Sequence, residues 1–244
     1  MYKYIQAPDA NDDIDKNALR VVQFYDLSRI TLINEVIGLM CDGQYKEMQN
    51  FLREQTQSIQ SINMVQEITS FLYEFSKKRL ITSETLPLLN KVVQSLIELC
   101  SGNYKNSEVI FQQQIVSIIN YFLQIDITEI KSKIEPDNKL EKEYTELRKK
   151  GLELKASAVE LLEVMLENVS PKTKDLSRQI TGGLDIHALH WSMVDFFILK
   201  DDEELIKAEY DDNATRALFK TYSIIKHLIY NEVTSLTSLG MYKR

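Results

Sequence analysis

Apolar residues recur at helical spacing in one segment of this chain after another, and no stretch carries the pattern of a β-hairpin or a βαβ unit. Met64, Ile68, Phe71, Leu72 and Phe75 share one helical face, and Lys77, Lys78 and Arg79 follow where a helix presents its negative end. Leu89, Val92, Val93, Leu96 and Cys100 form a second face, with Ser83 as the candidate cap, Pro87 in the first turn and Gly102 as the stop. Phe111, Ile115, Ile118, Ile119 and Phe122 mark a third helix. Only 7 Gly and 4 Pro interrupt 244 residues, so the chain has few places to break these helices.

The rest of the chain reads in the same way. Residues 1–16 form an acidic arm, because Asp9, Asp12, Asp13 and Asp15 crowd together with few large apolar neighbours. From Asn17 to Cys41 the pattern is helical, with a bend expected near Asp26, a face of Ile30, Ile33, Ile37 and Met40, and a stop at Asp42-Gly43. Residues 47–55, EMQNFLREQ, bring Met48, Phe51 and Leu52 onto one stripe and leave Gln49, Asn50 and Arg53 between them. Residues 127–150 are charge-rich, a loop followed by an exposed helix start. Beyond Gly151, Val159, Leu162, Leu166 and Val169 line a helix that SPKTKD ends. A helix capped by Asp185 and a last one from near Asn213, with Leu218, Tyr222, Ile225 and Ile229 on its face, complete the chain. The expected fold is all-α, a single domain over 17–244 of stacked antiparallel helices in an armadillo-like solenoid; a compact bundle is the alternative.

Charge and cysteine usage exclude several function classes. A net charge of -7 works against attraction to phosphate backbones or anionic lipid, so nucleic acid is not an expected partner. Cys41 and Cys100 supply neither a disulfide framework nor a metal-binding spacing, which points to a reducing compartment and a cytoplasmic setting. The N-terminus is polar and acidic where a signal peptide is basic and then apolar, and no apolar run reaches the length of a membrane span.

The usual catalytic signatures are missing: no phosphate-binding glycine loop, no nucleophile elbow, no CxxC pair and no HExxH. The chain is therefore read as a non-enzyme. His187 and His190 lie three apart on a helix, and with His227 they make a remote zinc candidate; packing beside Trp191 is the simpler reading. Lys155 and the acidic residues 201–204 are read as solvated helix surface. Two glutamates are less routine. Glu98 precedes the CSGN stop and Glu167 precedes the VSP stop, so each carboxylate faces the negative end of its helix dipole, a placement that a bound cation would reverse in sign. On the wheel each also sits in a polar stripe that solvent alone would explain. Two carboxylates offer calcium hard oxygen ligands, but calcium takes six to eight oxygens and the rest must come from elsewhere.

The runs LMCDGQYKEMQNFLREQ, SINMV, SLIELCSGNYKNSEVIF and LELKASAVELLEVMLE, in that order, resemble the receptor-homology-associated domain of inositol trisphosphate receptors and ryanodine receptors over about residues 36–200. The resemblance implies a cytosolic helical solenoid that couples ligand-sensing regions to a channel pore at the endoplasmic reticulum, with other channel domains as partners. It also implies that the two glutamates of the family's activating calcium site fall on Glu98 and Glu167, the third oxygen coming from a segment beyond the pore. This chain carries no pore and no recognisable ligand-binding trefoil. A free-standing relative is the alternative: a scaffold or structural component of a larger assembly, for example a cytoskeletal or ciliary one, without calcium sensing. In either case the EMQNFLREQ helix becomes a landmark, its Asn50 and Arg53 expected to bond neighbouring loop or helix-end carbonyls.

Overall fold

The computed structural model describes residues 26–78, 81–82, 84–125, 138–167, 174–199 and 211–238. Among these residues the fold is all-α, with no strand. The helices are α1 (Leu27–Cys41), α2 (Lys46–Arg53), α3 (Met64–Lys77), α4 (Leu86–Cys100), α5 (Tyr104–Gln112), α6 (Ile115–Leu123), α7 (Asn138–Glu167), α8 (Lys174–Gly183), α9 (Ile186–Leu199) and α10 (Asp211–Ser238), with a 3-10 turn at Asp42–Gln44. The acidic arm, the helical start from Asn17, Arg79, Ser83, Val169 and residues 201–204 lie outside the described residues.

The helices pack in two lines. α4 lies between α1 and α7, and α7 lies between α4 and α10. Beside them α3 meets α6 and α6 meets α9, while α2 rests on α5 and α8 on α6 and α7. Neighbours in the first line are thus three helices apart in sequence. α1 and α4 run in the same direction, because Lys91 pairs with Glu35 and, two turns further along both helices, Glu98 stands beside Asp42.

α4 occupies the centre because it is apolar on most sides. Leu86, Leu88, Leu89, Val92, Val93, Leu96, Ile97, Leu99 and Cys100 are all buried, and a fully buried leucine is worth about 2 kcal/mol over an exposed one. α3 buries Ile68, Leu72 and Phe75 as its spacing predicts, with Met64 and Phe71 packed against the same core. Asp26 accepts from the Arg29 amide at the start of α1, and Asp185 accepts from the His187 and Ala188 amides at the start of α9. Both are ordinary N-caps.

Several expectations are corrected. The third helix is two, because Gln114 takes a left-handed conformation (φ 60°) between α5 and α6, with no glycine or proline to announce it. The helix start expected within 127–150 and the apolar stretch beyond Gly151 form one continuous helix, α7, with Gly151 buried inside it. α8 is a helix that the sequence reading did not assign; it begins at Lys174, within the SPKTKD terminator, of which residues 170–173 lie outside the described residues. On α1, Ile33 and Met40 are exposed, and the buried stripe runs through Asn34, Ile37 and Cys41 because α1 has a line neighbour on the α4 side alone. On α10 the stripe turns to Ala214, Ala217, Thr221, Ile224 and Leu228, leaving Tyr222 and Ile229 exposed. Leu218 and Ile225, also on the expected face, pack partly buried against the core.

Candidate functional site: the end of α4 and the polar trough beside it

α2 explains how the end of α4 is held. Leu52 is buried and Met48 packs against the core, but Phe51 is 55% exposed and the side chain sealed in its place is Gln49, at 0%. Gln49 Nε2 donates to the Glu98 carbonyl at 2.7 Å and to the Ser101 carbonyl at 3.0 Å, two oxygens that the end of a helix leaves unpaired. Asn103 Nδ2 donates to Gln49 Oε1 at 3.2 Å and to Asn50 Oδ1 at 3.1 Å. Asn106 Nδ2 donates to the Leu99 carbonyl at 2.7 Å, and Arg53 donates to Asn106 Oδ1 at 2.6 Å. The locking role expected of Asn50 and Arg53 exists, but its carbonyl contacts are made by Gln49 and Asn106, while Asn50 and Arg53 bond side-chain amides. Gly102, at φ 68°, completes the turn; a Cβ there would meet Gln44 Oε1 at 2.8 Å.

Glu98 sits in the last turn of α4, which carries no basic residue. Its backbone is fixed by Gln49, while its side chain is half-buried toward α1 and α7. Burial raises its carboxyl above the ordinary range, and the like charges of Asp42 and Glu160 raise it further. Among the described residues no lysine or arginine pairs with it. Cys41, behind it, is a free buried thiol pushed up to about 11 by burial and by Glu98; Cys100 is pushed up to about 12 by burial.

Two adjoining cavities run along this side of the molecule. One, of about 340 Å³, lies between α1 and α4 and reaches Glu98 and Glu160. The other, of about 380 Å³, lies among α4, α7 and α10 and reaches Asn90, Glu153 and Arg216. Both are lined by Lys91, Gln94 and Glu160, so they make one trough. Lys220 bonds Glu160 and Glu163 at 2.9 Å each; burial alone would lower its ammonium, but these two carboxylates hold it above the ordinary value. Lys155, read from sequence as solvated, is 2% exposed and pairs with Asp195 at 2.7 Å, joining α7 to α9. The correction follows from its place on the buried side of α7, where its ammonium requires a carboxylate.

Glu167 is the last residue of α7, exposed, on a helix end that also has no basic residue. It stands two turns beyond Glu160, about 10 Å along the axis. The carboxylates that bear on Glu98 are Asp42 and Glu160, and Glu167 is not among them. Among the described residues, no three His, Cys, Asp or Glu side chains are grouped to hold a metal ion. His187, His190 and His227 are exposed, and His190 meets Trp191 edge-on at 5.9 Å. Sequence reasoning missed Gln49, whose burial had one signal, an amide flanked by apolar residues on a short helix. It also missed Asp42, Glu153 and Glu160, which come to this side only through packing.

Residues 26–123 match the family model described as RyR and IP3R Homology associated. The matched segment begins at the cap of α1, ends with α6, and includes Glu98 and the whole Gln49–Asn106 network; Glu167 and the trough residues of α7 and α10 lie beyond it. No curated protein and no solved structure matches the chain. No described helix is long and apolar enough to cross a membrane.

Proposed function

We infer, from the RyR and IP3R homology associated segment at residues 26–123, that the chain is a non-enzymatic coupling element of the calcium-release-channel type, in which Glu98 contributes to a calcium site. The observation that carries this is the Glu98 carboxylate itself: half-buried, flanked by Asp42 and Glu160, without a counter-cation among the described residues, and mounted on a backbone that Gln49 immobilises. A divalent cation relieves all three unfavourable features at once. The oxygen chemistry suits calcium, and Glu167, at the end of α7, is the second proposed ligand; two carboxylates leave the site weak without further oxygens. A cation bound better by one arrangement of the helices shifts the chain toward that arrangement, which is the coupling role.

An armadillo-like solenoid is the architecture proposed with it. It is supported by the line α1, α4, α7, α10, whose members recur every third helix, and by the parallel course of α1 and α4. Its partners are then other channel domains on the cytosolic face of the endoplasmic reticulum. The competing reading, a scaffold in a larger cytoskeletal or ciliary assembly, is favoured by the lack of a three-ligand cluster among the described residues and by the exposed apolar residues Leu32, Val36 and Leu39 on α1, which no other described residue covers. Calcium titration by calorimetry separates the two. Heat in the wild type that disappears in Glu98→Gln with Glu167→Gln supports the calcium reading; flat traces in both at millimolar calcium, with a partner captured through α1, support the scaffold.

A further inference from the structure

We propose that the trough across α1, α4, α7 and α10 binds an extended polypeptide segment that carries lysine or arginine. This goes beyond calcium, since the trough runs on from Glu98 to α7 and α10, whose residues lie outside the matched segment.

Charge on the trough is unevenly spent. Lys91 is committed to Glu35 at 3.3 Å, and Lys220 to Glu160 and Glu163. That leaves Glu98 and Glu153 without ion-pair partners among the described residues, against Arg216 alone. Burial raises the Glu153 carboxyl as it does that of Glu98, and the nearby Lys149 and Lys150 offset only part of this. Glu153 is a second station along the channel, apart from Glu98, so a guest with two cationic side chains reaches both, whereas a compact ion at Glu98 leaves Glu153 unpaired.

Hydrogen-bonding capacity points to a peptide backbone. Asn90 Oδ1 accepts from Ser157 at 2.7 Å, which leaves its Nδ2 donor without a partner among the described residues, and the Gln94 carboxamide is unengaged there too. Asn213 adds a third amide on α10. Amides carry both donor and acceptor, which matches the alternating groups of an extended chain and not a simple polyamine. The walls also hold small residues, Gly38, Ser95, Ala156, Ser157 and Ala217, so a guest backbone comes close. Packed helices sit 8–10 Å apart, so a trough over three gaps is roughly 25–30 Å long. An extended chain at about 3.3 Å per residue fills it with about eight residues. Arg216, on α10, suits an acidic residue or carboxylate of the guest.

The test uses the full chain and a fluorescein-labelled peptide of about eight residues alternating lysine and serine, read by anisotropy at near-physiological salt. Binding should weaken about tenfold in Glu98→Gln with Glu153→Gln. Asn90→Ala with Gln94→Ala should weaken it about threefold, each lost hydrogen bond being modest. The control pair Glu47→Gln with Glu67→Gln, exposed acids on α2 and α3, should leave it unchanged. Circular dichroism of each variant confirms folding. Equal loss in the control pair, or displacement of the peptide by spermine at matched charge, overturns the proposal, because either result reduces the binding to general attraction between a basic chain and an acidic protein. No effect of the Glu98 and Glu153 substitutions overturns it as well.

Discussion

At the C-terminal end of α4, Gln49, Asn103, Asn106 and Arg53 direct their donors to carbonyl and amide oxygens, whereas along the side of α4 that faces the trough Glu98 stands half-buried among like charges. The first region is neutral apart from one guanidinium and largely sealed, and its polar groups find partners. The second is open and charged, and two of its carboxylates, Glu98 and Glu153, have no ion-pair partner among the described residues. One helix end therefore carries, at the same residue, a locked backbone and a carboxylate without an ion-pair partner among the described residues. A ligand that meets Glu98 meets a group that cannot retreat with its helix. Such a division suits coupling, because binding energy delivered at a fixed point is passed to the neighbouring helices instead of being lost in local rearrangement.

The sharpest way to break this contrast is Asn106→Ala. It leaves the Leu99 carbonyl unpaired and removes the nearer acceptor of Arg53, so it should cost about 3 kcal/mol and lower Tm by several degrees, measured by urea and thermal unfolding. Next in size is Gln49→Ala, which uncaps the Glu98 and Ser101 carbonyls and should cost about 2 kcal/mol. Arg53→Ala should cost about 1–2 kcal/mol through its charge-assisted bond to Asn106; an unchanged Tm would assign Arg53 to a partner instead of the junction.

On the trough side the sign reverses. The folded chain holds the Glu98 proton more tightly than the unfolded chain does, so Glu98 weakens folding as pH rises through the ordinary carboxylate range and has no such effect below it. Glu98→Gln should therefore raise Tm slightly at neutral pH without calcium, and the gain should vanish as pH falls below that range. Melts of the two proteins at several pH values check this; a lower Tm for the variant at neutral pH contradicts it. The smallest effect belongs to Tyr222→Ser on the exposed face of α10, expected within about 0.5 kcal/mol of wild type.

Where a helix is held mainly by its apolar stripe, the stripe was readable: α3 and α4 follow their spacing residue by residue. Where polar packing or small residues decide, it was not. Phe51 lost its place to Gln49 because two helix-end carbonyls needed a donor more than the core needed another ring. On α10 the stripe was half readable: Leu218 and Ile225 pack against the core, while Tyr222 and Ile229 give way to Ala214, Ala217, Thr221, Ile224 and Leu228. The break at Gln114 carries no sequence mark, since a glutamine rarely adopts a left-handed turn. Glu98 and Glu167 were legible as helix-end carboxylates because that property is local. The company Glu98 keeps, Asp42 from the turn after α1 and Glu160 from α7, depends on how the line of helices assembles.

The central claim, that Glu98 is a ligand and not merely a surface acid, is tested most directly by the effect of calcium on thermal stability. Weak calcium sites have dissociation constants near 10⁻⁴–10⁻³ M, and calcium at about tenfold excess over such a constant stabilises by about 1.4 kcal/mol. For a chain of this size that is a rise in Tm of about 3 °C. The wild type should show it, magnesium at the same concentration should not, and Glu98→Gln should abolish it. An equal rise in wild type and variant, or none in either, contradicts the claim.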